Sequence, residues 1–263
     1  MLYYKKFDHP SSSEWVVFVH GAGGSSSIWF KQLRDYRECF NILLVDLRGH
    51  GKSGELFEAY LHNDYTFKSI AKDIVDVLDF LRIQTAHFVG ISLGTILIRT
   101  VAEMDATRVK SMILGGAVTR LDVRSRILVF TGNSLKRILP FMWLYRLFAW
   151  IIMPKRRHAE SRTVFINEAK KLYRREVLRW FKLVNELNPI LKYFNEKELP
   201  IPVLYLMGSE DYIFLAPVRQ IIKKHKNAIL KVIESAGHVC NVDQPELFNR
   251  ESIGFIQTCS AST

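Results

Sequence analysis

A serine stands between two glycines in the run Gly90-Ile91-Ser92-Leu93-Gly94. The apolar stretch Ala86 to Ile91 leads into it and reads as a strand, and Leu93 to Met104 reads as a helix that follows at once. A strand that turns straight into a helix needs small residues beside the turn, so that the backbone can fold back without clashing. Such a turn lifts the serine hydroxyl above a sheet edge and aims the next helix's N-terminus at it, which is where a nucleophile belongs. The five-residue pattern alone is a weak signal. Its strand-turn-helix context strengthens it, and so do the groups around it.

Upstream, Trp15 to His20 is a second apolar strand, running into His20-Gly21-Ala22-Gly23-Gly24-Ser25. A glycine-rich loop after a strand exposes backbone N–H groups, which an oxyanion needs. The plain alternative is a tight turn, but the loop lies one strand-loop-helix unit before the elbow's own, which favours the functional reading. Downstream, Val203 to Gly208 reads as a strand followed by Ser209-Glu210-Asp211, and Leu230 to Ile233 leads to Ser235-Ala236-Gly237-His238. The chain order is therefore Ser92, Asp211, His238, with the acid and the base each in a loop just after a strand.

On four motifs the chain resembles the α/β-hydrolase fold family. They are His20-Gly21-Ala22-Gly23, Asp46-Leu47-Arg48-Gly49-His50-Gly51-Lys52-Ser53, Gly90-Ile91-Ser92-Leu93-Gly94, and the loops of Asp211 and His238. Together they span nearly the whole chain and are highly specific, although each alone is not. The resemblance implies Ser92 as nucleophile, His238 as general base and acid, and Asp211 as the carboxylate that orients the imidazole. It also implies that the backbone N–H groups of Ala22 and Leu93 form the oxyanion hole. Asp122 is the rival acid, because some members of the family place that residue after the sixth strand. The serine argues against a haloalkane dehalogenase, whose elbow carries an aspartate.

The elements that must position these groups follow from periodicity. Leu2 to Phe7 reads as a short first strand, and the family's opening hairpin is expected in abbreviated form, with His9 to Ser13 as its turn. Phe40 to Leu47 reads as a buried strand. Thr66 to Leu81 reads as an amphipathic helix with Phe67, Ile70, Ile74, Val77, Leu78 and Leu81 on one face. Val109 to Leu114 is the strand before a long insertion, and Leu215 to Lys226 and Pro245 to Gln257 read as the last two helices. Alternating strands and helices imply an α/β fold: a mostly parallel central sheet flanked by helices, with right-handed crossovers and catalytic loops at the strands' carboxyl ends.

The chain has 263 residues, nearly half of them apolar, so one domain with an insertion can bury a large core and disorder is excluded. Its three cysteines, Cys39, Cys240 and Cys259, are odd in number and widely spaced, which fits neither a disulfide framework nor a zinc site. Cys240 either lines the site, two residues from His238, or is a packed thiol. Met1 to His9 has no apolar core of a signal peptide, so a reducing cytoplasm is the expected location. No metal, flavin or nucleotide motif is present, and no cofactor is expected.

The stretch from Thr119 to Glu198 breaks the alternation. The resemblance implies that it forms a helical lid over the site, dividing the chain into core residues 1–118, lid residues 119–198 and core residues 199–263. Residues 1–118 hold 13 basic and 13 acidic side chains, residues 199–263 hold 6 and 6, and the insertion holds 18 and 7. The entire net charge of +11 therefore sits in the insertion. Within it, Ile138 to Met153 is strongly apolar and rich in Trp and Tyr, with Lys136-Arg137 ahead of it and Lys155-Arg156-Arg157-His158 behind. The run is too short to span a bilayer, and Arg146 sits inside it. Two readings stay open: a helix packed over the site, or an interfacial element that meets an anionic membrane or lipidic substrate. Both give an apolar acyl pocket. No recognition motif accompanies the basic charge, so a nucleic-acid partner is not expected.

The remaining residues have plain readings. Asp46 and Arg48 are expected to make local hydrogen bonds, and His20 to brace the oxyanion loop. His50, His62, His87, His158 and His225 show no partner pattern and read as surface or core histidines. Trp180 and Phe181, at helical spacing, read as core. The expected function is a serine hydrolase that cleaves a carboxylic ester with an apolar acyl or aryl part through an acyl-enzyme. The same triad also serves carbon–carbon hydrolases of the meta-cleavage-product type, from whose usual elbow this chain departs at Thr95, where a second glycine is common. It serves a menaquinone-pathway lyase acting on an anionic substrate as well, which the basic lid keeps open. A ligand-binding or signalling module with little turnover is the alternative from another class. Oligomeric state is not legible in the sequence.

Overall fold

Seven short apolar runs pair into one sheet, in the order β1-β3-β2-β4-β5-β6-β7. The computed structural model describes residues 1–54, 65–121 and 140–261, and of Asn185 the backbone only. The strands are β1 (Tyr4–Phe7), β2 (Trp15–Val19), β3 (Asn41–Val45), β4 (Ala86–Ile91), β5 (Val109–Gly115), β6 (Val203–Gly208) and β7 (Ala228–Ile233). All pairings are parallel except β1 with β3. The expected opening hairpin does not form. Both edges of β2 are taken, by β3 and by β4, so β1 passes over it and adds antiparallel to the free edge of β3.

The central strands are mostly apolar and almost wholly buried, because both faces of the sheet are covered. Side chains alternate between the two faces. Val17, Val19, Phe88, Met112 and Leu114 enter one core, and Val16, Phe18, Val89, Ile91 and Ile113 enter the other. The first core is closed by α2 (Phe67–Phe80) and α3 (Leu93–Met104) through Ile70, Ile74, Leu97 and Val101. The second is closed by Tyr36 of a short helix, Leu33–Arg37 (α1), and by Trp29, Phe248 and Ile256. Each such fully buried side chain contributes about 1.5–3 kcal/mol of transfer free energy. Thr66 starts α2 with a capping box: its hydroxyl accepts the Ser69 N–H, and the Ser69 hydroxyl accepts the Thr66 N–H.

Between β5 and β6 the described residues form four α-helices and no strand. They are α4 (Phe141–Ile152), α5 (Ala159–Ala169), α6 (Arg174–Asn185) and α7 (Leu187–Glu196). The chain then returns to the sheet through β6, α8 (Leu215–Ile222), β7, the short α9 (Cys240–Asp243) and α10 (Pro245–Ala261). The architecture is thus an α/β fold with a mostly parallel sheet and a helical insertion. Asp122, His62 and the start of the apolar run at Ile138 lie outside the described residues. Among the described residues no helix is long and apolar enough to cross a membrane.

Six strands run the same way, so their carboxyl ends share one edge of the sheet. The loops after β2, β3, β4, β6 and β7 meet there, and they carry His20, His50, Ser92, Asp211 and His238.

Candidate active site

Ser92 sits at φ 54° and ψ −123°, between the last residue of β4 and the first of α3. A non-glycine residue held there costs of order 1–3 kcal/mol, so its surroundings must over-determine it. The flanking glycines allow that. A Cβ on Gly94 would lie 2.3 Å from the Val19 carbonyl oxygen, and one on Gly90 would lie 2.5 Å from Ile98 Cδ1. Residue 94 must therefore lack a side chain if α3 is to start against the end of β2. The turn is then pinned by the Ser92 N–H donating to Gly115 O at 2.9 Å and the Thr95 hydroxyl donating to Ser92 O at 2.6 Å.

Two loops bring partners to that hydroxyl. His238 Nε2 lies 2.9 Å from Ser92 Oγ, and His238 Nδ1 lies 2.8 Å from Asp211 Oδ2. The other oxygen of Asp211 accepts the Phe214 N–H at 3.0 Å, which fixes the carboxylate plane. Asp211 and His238 are both buried. A carboxylate on Nδ1 keeps the proton there and leaves Nε2 as an acceptor facing the hydroxyl. The arrangement can therefore take a proton from Ser92 while the oxygen attacks a carbon.

The loop after β2 faces the same point. Gly21 O accepts from His20 Nδ1–H at 2.7 Å and from the Gly24 N–H at 3.1 Å. In a trans peptide the N–H points opposite to the C=O, so this pair of bonds turns the Ala22 N–H away from the core. The next peptide is clamped from both sides. The Gly23 N–H donates to His50 Nε2 at 2.9 Å, and the Tyr145 hydroxyl, reaching in from α4, donates to Ala22 O at 2.9 Å. Leu93 is the first residue of α3, so its N–H has no acceptor within the helix. Ala22, Leu93, Ser92 and His238 all line one cavity.

His20 braces this loop from the inside, its Nε2 accepting the Leu47 N–H at 3.0 Å. His50 does the same work, contrary to the partnerless reading of the sequence. Its Nδ1–H donates to Arg48 O at 2.8 Å while Nε2 holds Gly23. The signal was the Asp46–Ser53 motif itself, which carries the residue but not its partner. Burial, helped by the neighbouring His20 ring and opposed by the Arg48 carbonyl, pushes the His50 pKa down from 6.5 to about 3. The imidazole is then neutral in the folded protein and titrates near 6.5 once unfolded. The unfolded chain therefore binds the extra proton as pH falls, so this stability is fully present above about 6.5 and is lost progressively towards about 3. The expected loss from this group approaches roughly 1 kcal/mol per pH unit within that window. Thermal unfolding midpoints measured from pH 7 down to pH 4 should fall less steeply for His50→Asn than for the native chain; equal slopes would show that His50 is not the group responsible.

The other sequence candidates separate into structural roles. Asp46 accepts the Ser26 N–H at 2.7 Å and the Lys52 N–H at 2.9 Å. Arg48 pairs with Asp73. Cys240 is a packed thiol, fully buried and pushed up by that burial, with Leu206 O as its acceptor. His87 is buried against Ser111, and His225 against Asn195 O. His158, also buried, lies 2.9 Å from Glu210 Oε2, and Lys155, donating to Glu210 Oε1 at 2.7 Å, ties the insertion to the Asp211 loop. Trp180 and Phe181 are not plain core: both line the cavity, and Trp180 Nε1–H donates to Arg48 O at 3.3 Å. Among the described residues no group of three His, Cys, Asp or Glu side chains could hold a metal ion.

The cavity above Ser92 has a volume of about 200 Å3. Its polar lining is confined to Ser92, His238, His50 and Tyr145 at one end, and the rest is aliphatic and aromatic. No charged side chain among the described residues lines it. The described basic residues of the insertion therefore do not line the cavity above Ser92.

Residues 16–251 match the Alpha/beta hydrolase family. The 3-oxoadipate enol-lactonase 1 of Acinetobacter baylyi is 21% identical, over 95% of this chain and 91% of its own. A second protein of that organism, provisionally named carbamate hydrolase RutD, is 26% identical over 97% of this chain and 98% of its own. Among solved structures, the meta-cleavage product hydrolase of Pseudomonas fluorescens IP01 shares the fold with a TM-score of 0.77 at 19% identity, covering 98% of this chain and 94% of that one.

Proposed function

This chain belongs to the alpha/beta hydrolase family, and from that premise we propose that it is a serine hydrolase of carboxylic esters with an apolar acyl or aryl part. The observation that carries the reading is the hydrogen-bonded series Ser92–His238–Asp211 opening into an uncharged, apolar cavity. Ser92 Oγ attacks the ester carbonyl carbon as its proton passes to His238 Nε2. Asp211 holds the imidazolium that forms. The carbonyl oxygen gains the negative charge and accepts from the Ala22 and Leu93 N–H groups. His238 returns the proton to the departing alkoxide, leaving an acyl-enzyme. Water then enters, gives a proton to His238 and releases the acid by the reverse path. Residues 119–198 serve as a lid, whose α4, α5 and α6 supply eight of the cavity's nineteen lining residues.

Two relatives support hydrolysis of an acyl–heteroatom bond. An enol-lactone is a cyclic ester, and a carbamate is an acyl group bonded to oxygen and nitrogen, so both reactions use the same attack and the same oxyanion. The apolar lining weighs against a substrate whose anionic group sits beside Ser92.

The cavity volume sets the expected chain length. About 150 Å3 is enough for benzene, so about 200 Å3 takes a ring or a short-to-medium acyl chain. Each methylene moved from water into the pocket contributes up to about 0.8 kcal/mol, roughly fourfold in kcat/KM. Rates on aryl esters should therefore climb from acetate towards butyrate or hexanoate and level off once the pocket is full. A preference for acetate would remove the acyl-pocket reading, and turnover of a vinylogous diketone without any ester turnover would move the chain to carbon–carbon hydrolysis.

A further inference from the structure

We propose that the outer face of α4 is a docking surface for an anionic lipid bilayer. The helix, Phe141–Ile152, has one charged residue, Arg146, and is apolar on every side. A helix of that kind is normally buried all round. Here only the inner side is covered: Leu144 and Ala149 are buried, and Tyr145, Phe148 and Ile152 line the cavity over Ser92. On the opposite side Trp143, Leu147, Trp150 and Ile151 are 64%, 41%, 56% and 42% exposed. Their spacing of four, three and one places them on a single stripe.

Charge selects the occupant. Arg146 lies on the same exposed side, and Arg156 is exposed just past the helix end. Neither makes an ion pair with the described residues, unlike Lys155 and Arg157, which lie 2.7 and 3.7 Å from Glu210. The guanidinium of Arg162, buried and donating to Met153 O and Lys155 O, lies 4.0 Å from the Trp150 ring and holds that ring in place. The helix lies inside the segment that holds all of the net charge. Tryptophans and aliphatic side chains bordered by unpaired arginines suit the boundary between acyl chains and anionic headgroups, where the rings enter and the cations meet phosphate. A second copy of the chain fits poorly, because a two-fold contact through this face would set each Arg146 against the same arginine cluster of its mate. Twelve residues rise about 18 Å, so the helix lies in the interface rather than crossing it. Seated this way, the inner side of the same helix carries the cavity to the surface where apolar esters partition.

Sedimentation with vesicles tests this without any turnover, so its result is separate from the hydrolase reading. The native chain should bind phosphatidylcholine vesicles that contain phosphatidylserine at low salt. Binding should weaken at high salt, because screening shortens the reach of the arginines, and should be much weaker on phosphatidylcholine alone. Trp143→Ser with Leu147→Ser, and separately Arg146→Glu, should each lower binding by about tenfold while the thermal midpoint stays unchanged. Absence of binding by the native chain overturns the proposal. So does equal binding by the substituted chains, which would place the contact elsewhere. A concentration-dependent dimer that the serine pair dissolves, with no vesicle binding, would give the face to a second copy and overturn it too.

Discussion

Ser92→Ala should lower turnover of a short aryl ester by about four to six orders of magnitude and abolish labelling by a fluorophosphonate probe. The size of the effect follows from what is lost. Ser92 Oγ is the atom 2.9 Å from His238 Nε2, and its backbone sits at φ 54° so that the oxygen projects from the turn ahead of α3. Alanine keeps the backbone and the flanking glycines, so the fold should persist with its thermal midpoint within a few degrees. Residual turnover would come from the N–H groups of Ala22 and Leu93 acting on a bound carbonyl. Intact mass after probe treatment reads the covalent step directly. Labelling of Ser92→Ala at the native rate would show that another residue is the nucleophile.

His238→Ala should cost nearly as much as Ser92→Ala, and the variant carrying both changes should be little worse than either alone. In the proposed mechanism the two groups act as one device: without the imidazole the hydroxyl keeps its proton, and without the hydroxyl the imidazole has nothing to activate. Asp211→Asn should lower kcat by about four orders of magnitude while leaving KM nearly unchanged. An amide at that position can donate to Nδ1, which forces the imidazole proton onto Nε2, where it faces Ser92 and blocks acceptance. The Phe214 N–H, 3.0 Å from Asp211 Oδ1, still has a carbonyl oxygen to donate to, so the loop should stay in place. Steady-state kinetics on these variants, with Asp211→Ala and Asp122→Ala added, distinguishes this from the rival acid. If Asp211→Ala remains near native activity and Asp122→Ala collapses, the orienting carboxylate is Asp122.

The strand and helix around the serine could be read from the sequence residue for residue, Ala86–Ile91 and Leu93–Met104, because both signals are local. An apolar run ends, a glycine on each side permits close approach, and a helical period begins. The same short-range logic placed Asp211 and His238 in loops after strands. Parallel strands then bring such loops to one edge whatever the remaining detail. Contacts between elements were a different matter. His50 and Gly23 are 27 residues apart, and Tyr145 and Ala22 are 123 apart. Nothing in the spacing of either pair names its partner, because the partner depends on how a loop or helix docks once the sheet has formed. The pairing of β1 with β3 instead of β2 has the same cause: edge occupancy is a property of the assembled sheet. The insertion shows where sequence alone stops. Its composition determined that it is basic and that one of its helices is apolar on every side, and a pattern with no polar face cannot say which side turns inward. Only packing against the cavity decided that Tyr145, Phe148 and Ile152 face the serine, that Trp143 and Trp150 face outward, and that no described arginine of the insertion lines the cavity.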